Sequence, residues 1–360
     1  MGHLLANQLI NIMTTSSAII VHPNFDHVWP WAADRLHEIW KKQGEVEFIR
    51  ISPEKNGTAS TAPTIKPAHT HLKNPATITR LVCFDVPFSE EGLPAMPKLR
   101  EIHCSIPKDS SLPALFEKAG IRLIQHNSEG FWGQSVSEFG FALTLCGLRR
   151  IPQTHHRIIT ALNDWEYGQP DGIGKPGQRG HQFGDDTAFA NGTLEGKRVR
   201  IVGAGNIGSR YASFCNFFGA DVSMWDPFAN EPCFHRAGAR REHFLERLVS
   251  DAEIFAPMLP HTPKTEGLIT KDHIEALPKG CLVVMVTRAT ICDCAPLYRR
   301  VLDGELALAA DVFDHEPLEI GHALLGRPNV IHTPHNAGRT KESNWRFAEM
   351  LAEKFLPAGR

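Results

Sequence analysis

Arg198-Val-Arg-Ile-Val-Gly203-Ala-Gly205-Asn206-Ile207-Gly208 decides the fold of this 360-residue chain. Residues 198–202 read as a strand, three glycines follow in G-x-G-x-x-G spacing, and residues 206–218 carry a helical pattern. A second strand reads over 221–225 and ends at an acid, Asp226, eighteen residues past Gly208. Gly203 permits a tight turn, Gly205 lets backbone approach a diphosphate, and Gly208 allows close helix–strand packing. The helix start at Asn206 and Ile207 offers free N–H groups and positive potential to an anion. Asp226 accepts hydrogen bonds from both ribose hydroxyls and repels a 2′-phosphate, so the expected cofactor is NAD rather than NADP. A plain βα turn with a glycine cluster is the alternative, and the strand–helix–strand–acid context speaks against it.

Outward from this motif the pattern continues. Short apolar runs at 252–256, 281–286, 306–312 and 329–332 complete a doubly wound nucleotide-binding sheet. The N-terminal part alternates in the same way: strands at 17–22, 46–52, 81–84, 99–104 and 121–125, with helices at 31–41 and 112–119 and a Pro- and Thr-rich loop at 53–78. The fold class is therefore α/β with two parallel sheets, and about 150 residues per domain also gives two domains. Ser135-Val-Ser-Glu138 reads as a capping box opening a long helix, with 139–148 almost wholly apolar and expected to be buried between the domains. Residues 167–193 read as a loop or arm, and 1–16 as an N-terminal extension.

Composition excludes other classes. With 42% apolar and 22% charged residues the chain has ample material for a core. Thirty-eight basic against 40 acidic residues give a net charge of −2, with no electrostatic footprint for nucleic acid or an anionic membrane. No apolar run is long enough for a transmembrane helix, and the start of the chain lacks the basic and apolar regions of a secretory signal, so a cytoplasmic location is expected. The eight cysteines sit mostly inside apolar runs and read as reduced core residues; none forms a C-x-x-C pair. His69, His71, His155 and His156 lack carboxylate or thiolate company, so no metal site is expected.

Three strand ends carry chemistry. They are the arginine of Val-Thr287-Arg288-Ala-Thr, the acids of Ala-Asp311-Val-Phe-Asp-His-Glu316-Pro, and the imidazole of His332-Thr-Pro-His335-Asn-Ala-Gly338. All fall at the carboxyl edge of the sheet, where doubly wound folds bind ligands. A guanidinium, a carboxylate and an imidazole suit reduction of a 2-keto acid. That reaction needs a cation for the carboxylate and carbonyl oxygens and a proton donor for the developing alkoxide.

The ordered motifs SVSEFGFALTLCGLRRIP, LEGKRVRIVGAGNIG, PHTPKTEGLI, VTRATICD, DVFDHEPL and TPHNAG resemble those of the D-isomer-specific 2-hydroxyacid dehydrogenases, a family that includes phosphoglycerate dehydrogenases and glyoxylate/hydroxypyruvate reductases. The resemblance covers nearly the whole chain. It implies a Rossmann NAD-binding domain over 128–338 and a discontinuous flavodoxin-like substrate domain over 17–127 plus 339–360. It places the active site in a cleft closed by hinge motion, within a homodimer acting on a small 2-keto or 2-hydroxy acid. It assigns substrate binding to Arg288, general acid/base catalysis to His335, and orientation of that imidazole to Glu316. Asp311 would hold the nicotinamide carboxamide, with Pro260, Thr265, Thr287, Arg288 and His335 also at the cofactor.

The chain departs from the family at the turn that binds the substrate carboxylate. Ser105-Ile106-Pro107-Lys108-Asp109 stands where glycine backbone donors are usual; Pro107 removes one donor and Lys108 adds a charge. Met285 and Ala289 replace the usual Asn and Gly around Arg288, and Trp132 occupies a position that often lines the pocket. The substrate expected is therefore larger or more anionic than glyoxylate. Two other readings stand beside this one. NAD-binding corepressors resemble the family but carry a long disordered tail. Enzymes of other small anions, such as formate or phosphite, are also related, but formate dehydrogenases carry Gln where Glu316 stands.

Overall fold

The computed structural model describes residues 16–52, 65–107, 109–126, 130–162, 165 and 186–356. The expected extension over 1–16 thus lies outside the described residues except for Ser16, and the arm over 167–193 except for 186–193. Packing divides the chain into one unit up to Phe131 that resumes at Arg339, and a second from Trp132 to Gly338.

In the first unit β1 (Ser16–Val21), β2 (Val46–Arg50), β3 (Ile78–Phe84), β4 (Glu101–His103) and β5 (Arg122–Leu123) form a parallel sheet in the order β2-β1-β3-β4-β5, the flavodoxin-like order. Its helices are α1 (Pro23–Val28), α2 (Ala32–Lys41), α3 (Gly92–Ala95), α4 (Leu112–Lys118) and, after the chain returns, α12 (Lys341–Lys354). Successive strand residues point to opposite faces. Ala18, Ile20, Leu81, Cys83 and Ile102 accordingly share one core with Phe116 of α4. On α2, Trp40 meets Phe355 edge-on at 4.9 Å, while Phe84 of β3 meets Phe347 of α12 at 6.0 Å. Arg35 of α2 pairs with Glu349 of α12 at 2.6 Å.

In the second unit β6 (Arg198–Val202), β7 (Asp221–Trp225), β8 (Arg240–Arg241), β9 (Ile254–Pro257), β10 (Leu282–Met285), β11 (Ala307–Ala310) and β12 (Val330–His332) lie parallel in the order β12-β11-β10-β9-β6-β7-β8. Counted from β6 this is 3-2-1-4-5-6 with one strand more, the order of dinucleotide-binding sheets. Strands β9, β10 and β11 are buried throughout because helices cover both faces. The alternation sorts them: Ile201, Ala256, Val284 and Ala309 join one core, while Val202, Phe255, Val283, Met285 and Leu308 join the other. The first core is covered by α5 (Gly133–Arg149) and α7 (Asn206–Phe217), where Thr144 Oγ1 and Tyr211 OH meet at 2.8 Å. The second is covered by α9 (Leu245–Ser250), α10 (Lys271–Ala276) and α11 (Cys294–Leu302); α6 (Ile151–Thr160) follows α5, and α8 (Glu231–Ala237) packs on α7.

One expectation needs correction, and one strand is new. Helix α5 starts at Gly133, two residues before the expected capping box, so Ser135 lies inside its first turn, where its hydroxyl donates to the Trp132 carbonyl at 3.3 Å, while Glu138 accepts from the Gln134 amide at 2.5 Å. The burial of Gly133 and Val136 sets the start instead. Strand β8 has no counterpart in the sequence reading, because two exposed arginines carry no apolar alternation. The cysteines are free thiols, six of them buried; burial pushes Cys104 and Cys215 up to about 12.

Candidate active site

The edge of the second sheet is built where β6 ends. Gly203 sits at φ 102° directly under Met258: a Cβ there would lie 2.7 Å from the Met258 carbonyl oxygen. Gly208 abuts the Gly203 carbonyl so closely that no side chain fits. Gly205 is different. It caps α7 without a side-chain hydrogen bond, and a Cβ there would meet nothing within 4 Å. The uncapped start of a twelve-residue helix over open backbone suits a diphosphate, so the loop fits NAD. Asn206 and Ile207 form the first turn of that helix. Asp226 follows β7, where Oδ2 accepts from the Ala204 N–H at 2.8 Å and Oδ1 from the N–H groups of Phe228 and Ala229 at 2.9 and 3.1 Å. Oδ2, which accepts only one hydrogen bond, retains a lone pair for a ribose hydroxyl.

Next along the edge, Pro260 and Thr265 form the turn after β9: the Thr265 hydroxyl donates to the Pro260 carbonyl at 2.6 Å and accepts from the Thr262 N–H at 2.9 Å. Thr287, after β10, is buried and donates to the Pro257 carbonyl at 3.3 Å. Arg288 is exposed, with Nη1 donating to the Thr287 carbonyl at 2.6 Å. Among the described residues it makes no hydrogen bond to Glu316 or His335.

The imidazole and its acid are brought together. His335 Nδ1 donates to Glu316 Oε2 at 2.6 Å, and Glu316 Oε1 accepts from the Phe313 N–H at 2.8 Å. Both side chains are partly open, at 42% and 33% exposure, so the dyad is accessible to a reactant. The tautomer follows from the pairing, because an ionised carboxylate only accepts. His335 has φ 53°, in the left-handed region. Asp311 is fully buried; its carboxylate accepts from Thr333 Oγ1 at 2.6 Å, the Asn336 N–H at 3.0 Å and the Ala337 N–H at 2.8 Å. Sequence reasoning missed the Phe313 N–H and the donors of the 333–337 loop. Backbone donors carry no residue signature, and the loop donors lie 22 to 26 residues beyond Asp311.

The other sequence candidates are divided between the two units. Trp132 is half-buried against the core of the second unit, beside Val136 and Gly338. In the first unit, Ser105 is exposed and Ile106 packs on the core below β4; Lys108 lies outside the described residues. Among the described residues no group of three His, Cys, Asp or Glu side chains could hold a metal ion, and no helix is long and apolar enough to cross a membrane.

The family model for the NAD binding domain of D-isomer specific 2-hydroxyacid dehydrogenases matches residues 173–337. The chain is similar to the D-3-phosphoglycerate dehydrogenase of Bacillus subtilis, with 32% identity over 223 residues, covering 62% of this chain and 38% of that protein. It is also similar to the glyoxylate reductase of Aeropyrum pernix, with 29% identity over 231 residues and 64% of each chain covered. Thus the chain spans between 38% and 64% of the length of these two relatives. The fold is shared with the NAD-complexed D-isomer specific 2-hydroxyacid dehydrogenase of Lactobacillus delbrueckii ssp. bulgaricus, at a TM-score of 0.66 and 18% identity, covering 94% of this chain and 96% of that one. Residues 173–337, which lie within the second unit, thus match the NAD binding domain of D-isomer specific 2-hydroxyacid dehydrogenases.

Proposed function

We propose that the protein is an NAD-dependent 2-hydroxyacid dehydrogenase that interconverts a 2-keto acid and its 2-hydroxy acid. Bound NADH supplies the hydride. The protein supplies the rest: the planar fork of Arg288 binds the carboxylate and polarises the carbonyl oxygen, and His335 delivers the proton that the new hydroxyl requires. Glu316 holds the imidazole by Nδ1, which leaves Nε2 for that transfer. The observation that carries this reading is the Nδ1–Oε2 hydrogen bond at 2.6 Å. It favours chemistry with a proton transfer over formate-type oxidation, which needs none, and over a scaffold, which has no use for an oriented acid/base.

The substrate class rests on the turn after β4. By the resemblance, Ser105, Ile106 and Lys108 take the place of glycine donors, and a lysine at that sequence position favours a second anionic or otherwise larger group on the 2-keto acid; Trp132 would add a flat apolar wall. The enzyme is a homodimer built on the second unit, where Phe217 and Phe218 expose 85% and 52% of their surface beside Phe141 of α5. Free, buried thiols suit the reducing cytoplasm.

The test is NADH consumption with glyoxylate, pyruvate, hydroxypyruvate, oxaloacetate and phenylpyruvate, repeated with Lys108→Ala. Turnover with one or more confirms the reaction class; consumption of NADH with none refutes it. A preference for glyoxylate that Lys108→Ala leaves untouched refutes the substrate class alone.

A further inference from the structure

We infer that Tyr298 is a positioning residue for the His335–Glu316 dyad: from α11 it holds the loop that carries Glu316, and so sets where the imidazole presents Nε2. The inference rests on the 2-hydroxyacid dehydrogenase reading and deepens it. Glu316 can orient the ring only as well as its own loop is held. Of the residues between Asp311 and Glu316, Val312 and Phe313 are buried, while Asp314 and His315 are exposed. The stretch that leads from the core to Glu316 therefore has no apolar anchor.

Its anchor is polar. The Tyr298 hydroxyl donates to Asp314 Oδ1 at 3.1 Å. Asp314 Oδ2 lies 3.3 Å from Nδ1 of His315, a side chain 91% exposed, so that contact ties the loop to nothing else. Tyr298 itself is held firmly. Its neighbours Leu297 and Val301 are buried in the core that contains Val283 and Leu308, and its own ring packs against that core. Burial pushes its hydroxyl far up, so it keeps its proton and stays a donor. One turn earlier on the same face of α11, Cys294 Sγ donates to the Ala289 carbonyl at 3.5 Å. Burial pushes that thiol up to about 11, so it too stays a donor. Ala289 follows Arg288 directly. One helix face thus touches both segments the reaction needs, the one that carries Arg288 and the one that carries Glu316. Cutting the Tyr298–Asp314 bond leaves Arg288 in place and frees the acid that orients His335.

The test compares wild type with Tyr298→Phe, Asp314→Ala, Asp314→Asn and the double variant Tyr298→Phe/Asp314→Ala, all as full-length protein. Three readouts are taken: the His335 Nδ1–H resonance in substrate-free protein, identified by its loss in His335→Gln; NADH affinity; and kcat and KM for the best 2-keto acid of the panel. The expected result for Tyr298→Phe is a shifted or broadened resonance and a kcat lower by about tenfold, short of the about 100-fold that a 1 Å misplacement costs. KM and NADH affinity stay unchanged, because Arg288 and the glycine loop are untouched. Asp314→Ala does the same, and the double variant is no worse than either single one, since both remove one bond. Asp314→Asn keeps the resonance and kcat of wild type, because its amide oxygen still accepts from Tyr298; this separates the anchor from the charge of Asp314. The inference is overturned if Tyr298→Phe leaves resonance and kcat as in wild type, or if the two losses multiply in the double variant. It is overturned equally if Asp314→Asn loses as much as Asp314→Ala, or if NADH affinity falls together with kcat. Should Tyr298→Phe not fold, the two substitutions at the exposed Asp314 decide by the same readouts. The resonance needs no substrate, so a wild type that reduces no 2-keto acid refutes the proposed function and leaves the positioning claim to be judged by the resonance.

Discussion

Asp226 accepts a hydrogen bond from the Ala204 N–H at 2.8 Å, which ties the end of β7 to the glycine loop after β6. One carboxylate therefore shapes the dinucleotide loop, and on the proposed reading it also receives the ribose hydroxyls. NADH should bind more tightly than NADPH, because a carboxylate offers a 2′-phosphate repulsion and no donor. Replacing Asp226→Ser together with the exposed Phe228→Arg should narrow or reverse that preference while weakening NADH, since the loop loses its anchor. Titration of both cofactors by fluorescence decides it; an unmodified protein that prefers NADPH contradicts the role of Asp226.

Two glycines of the same loop should fail differently. In Gly208→Ala the methyl group runs into the Gly203 carbonyl, so the second unit should unfold or lose several kcal/mol, about 3 or more by the usual cost of overpacking with backbone shifts. In Gly205→Ala the methyl group meets no protein atom, so the melting temperature should stay put while NADH affinity falls. Calorimetry and NADH titration on the pair separate a packing glycine from a ligand glycine. Equal loss of stability in both variants would show that the two play one role.

Acid sensitivity should centre on His126 in the first unit. Its Nε2 donates to the Phe347 carbonyl at 2.9 Å, and its ring packs at 4.3 Å from the Phe347 ring and 5.3 Å from that of Phe131. Burial pushes it down from 6.5 to about 4, with His103 and Lys354 adding to the shift and the Phe347 carbonyl opposing it. The folded state thus disfavours the protonated form, and the unfolded chain takes up the proton first. Stability should fall as pH drops from about 6.5 toward 4 and level off below. His126→Gln, whose amide can still donate to the Phe347 carbonyl, should flatten that slope. Urea midpoints across this range give the answer, and parallel slopes for the two proteins would rule His126 out.

Glu316→Gln should lower kcat for keto-acid reduction without changing NADH affinity, because the imidazole loses a charged acceptor while the glycine loop is untouched. A variant as active as wild type would mean that the dyad does not take part in the proton transfer.

How much of this was legible in the sequence depends on the range of the contact. Apolar runs such as Leu282–Met285 announce strands because both faces are buried, and the G-x-G-x-x-G loop announces itself because each glycine answers a local need. The boundaries of α5 were not legible: Ser135 and Glu138 match a capping pattern, but burial of Gly133 places the helix start earlier and turns both side chains to other partners. At the site, residue types and strand ends pointed to Arg288, Glu316 and His335. The hold of Asp311 on the 333–337 loop was not readable, because it arises only when β12 pairs beside β11 and brings residues 22 to 26 positions apart into contact.

The central claim is that His335 is the proton donor of an NADH-dependent 2-keto acid reductase. The measurement is a paired one on wild type and His335→Ala: NADH dissociation constant, and single-turnover NADH oxidation with the best 2-keto acid of the panel. The account predicts equal NADH affinity and a rate lower by about 100-fold to 10,000-fold in the variant, the range general acid catalysis contributes. A variant that oxidises NADH as fast as wild type with the same keto acid would contradict it.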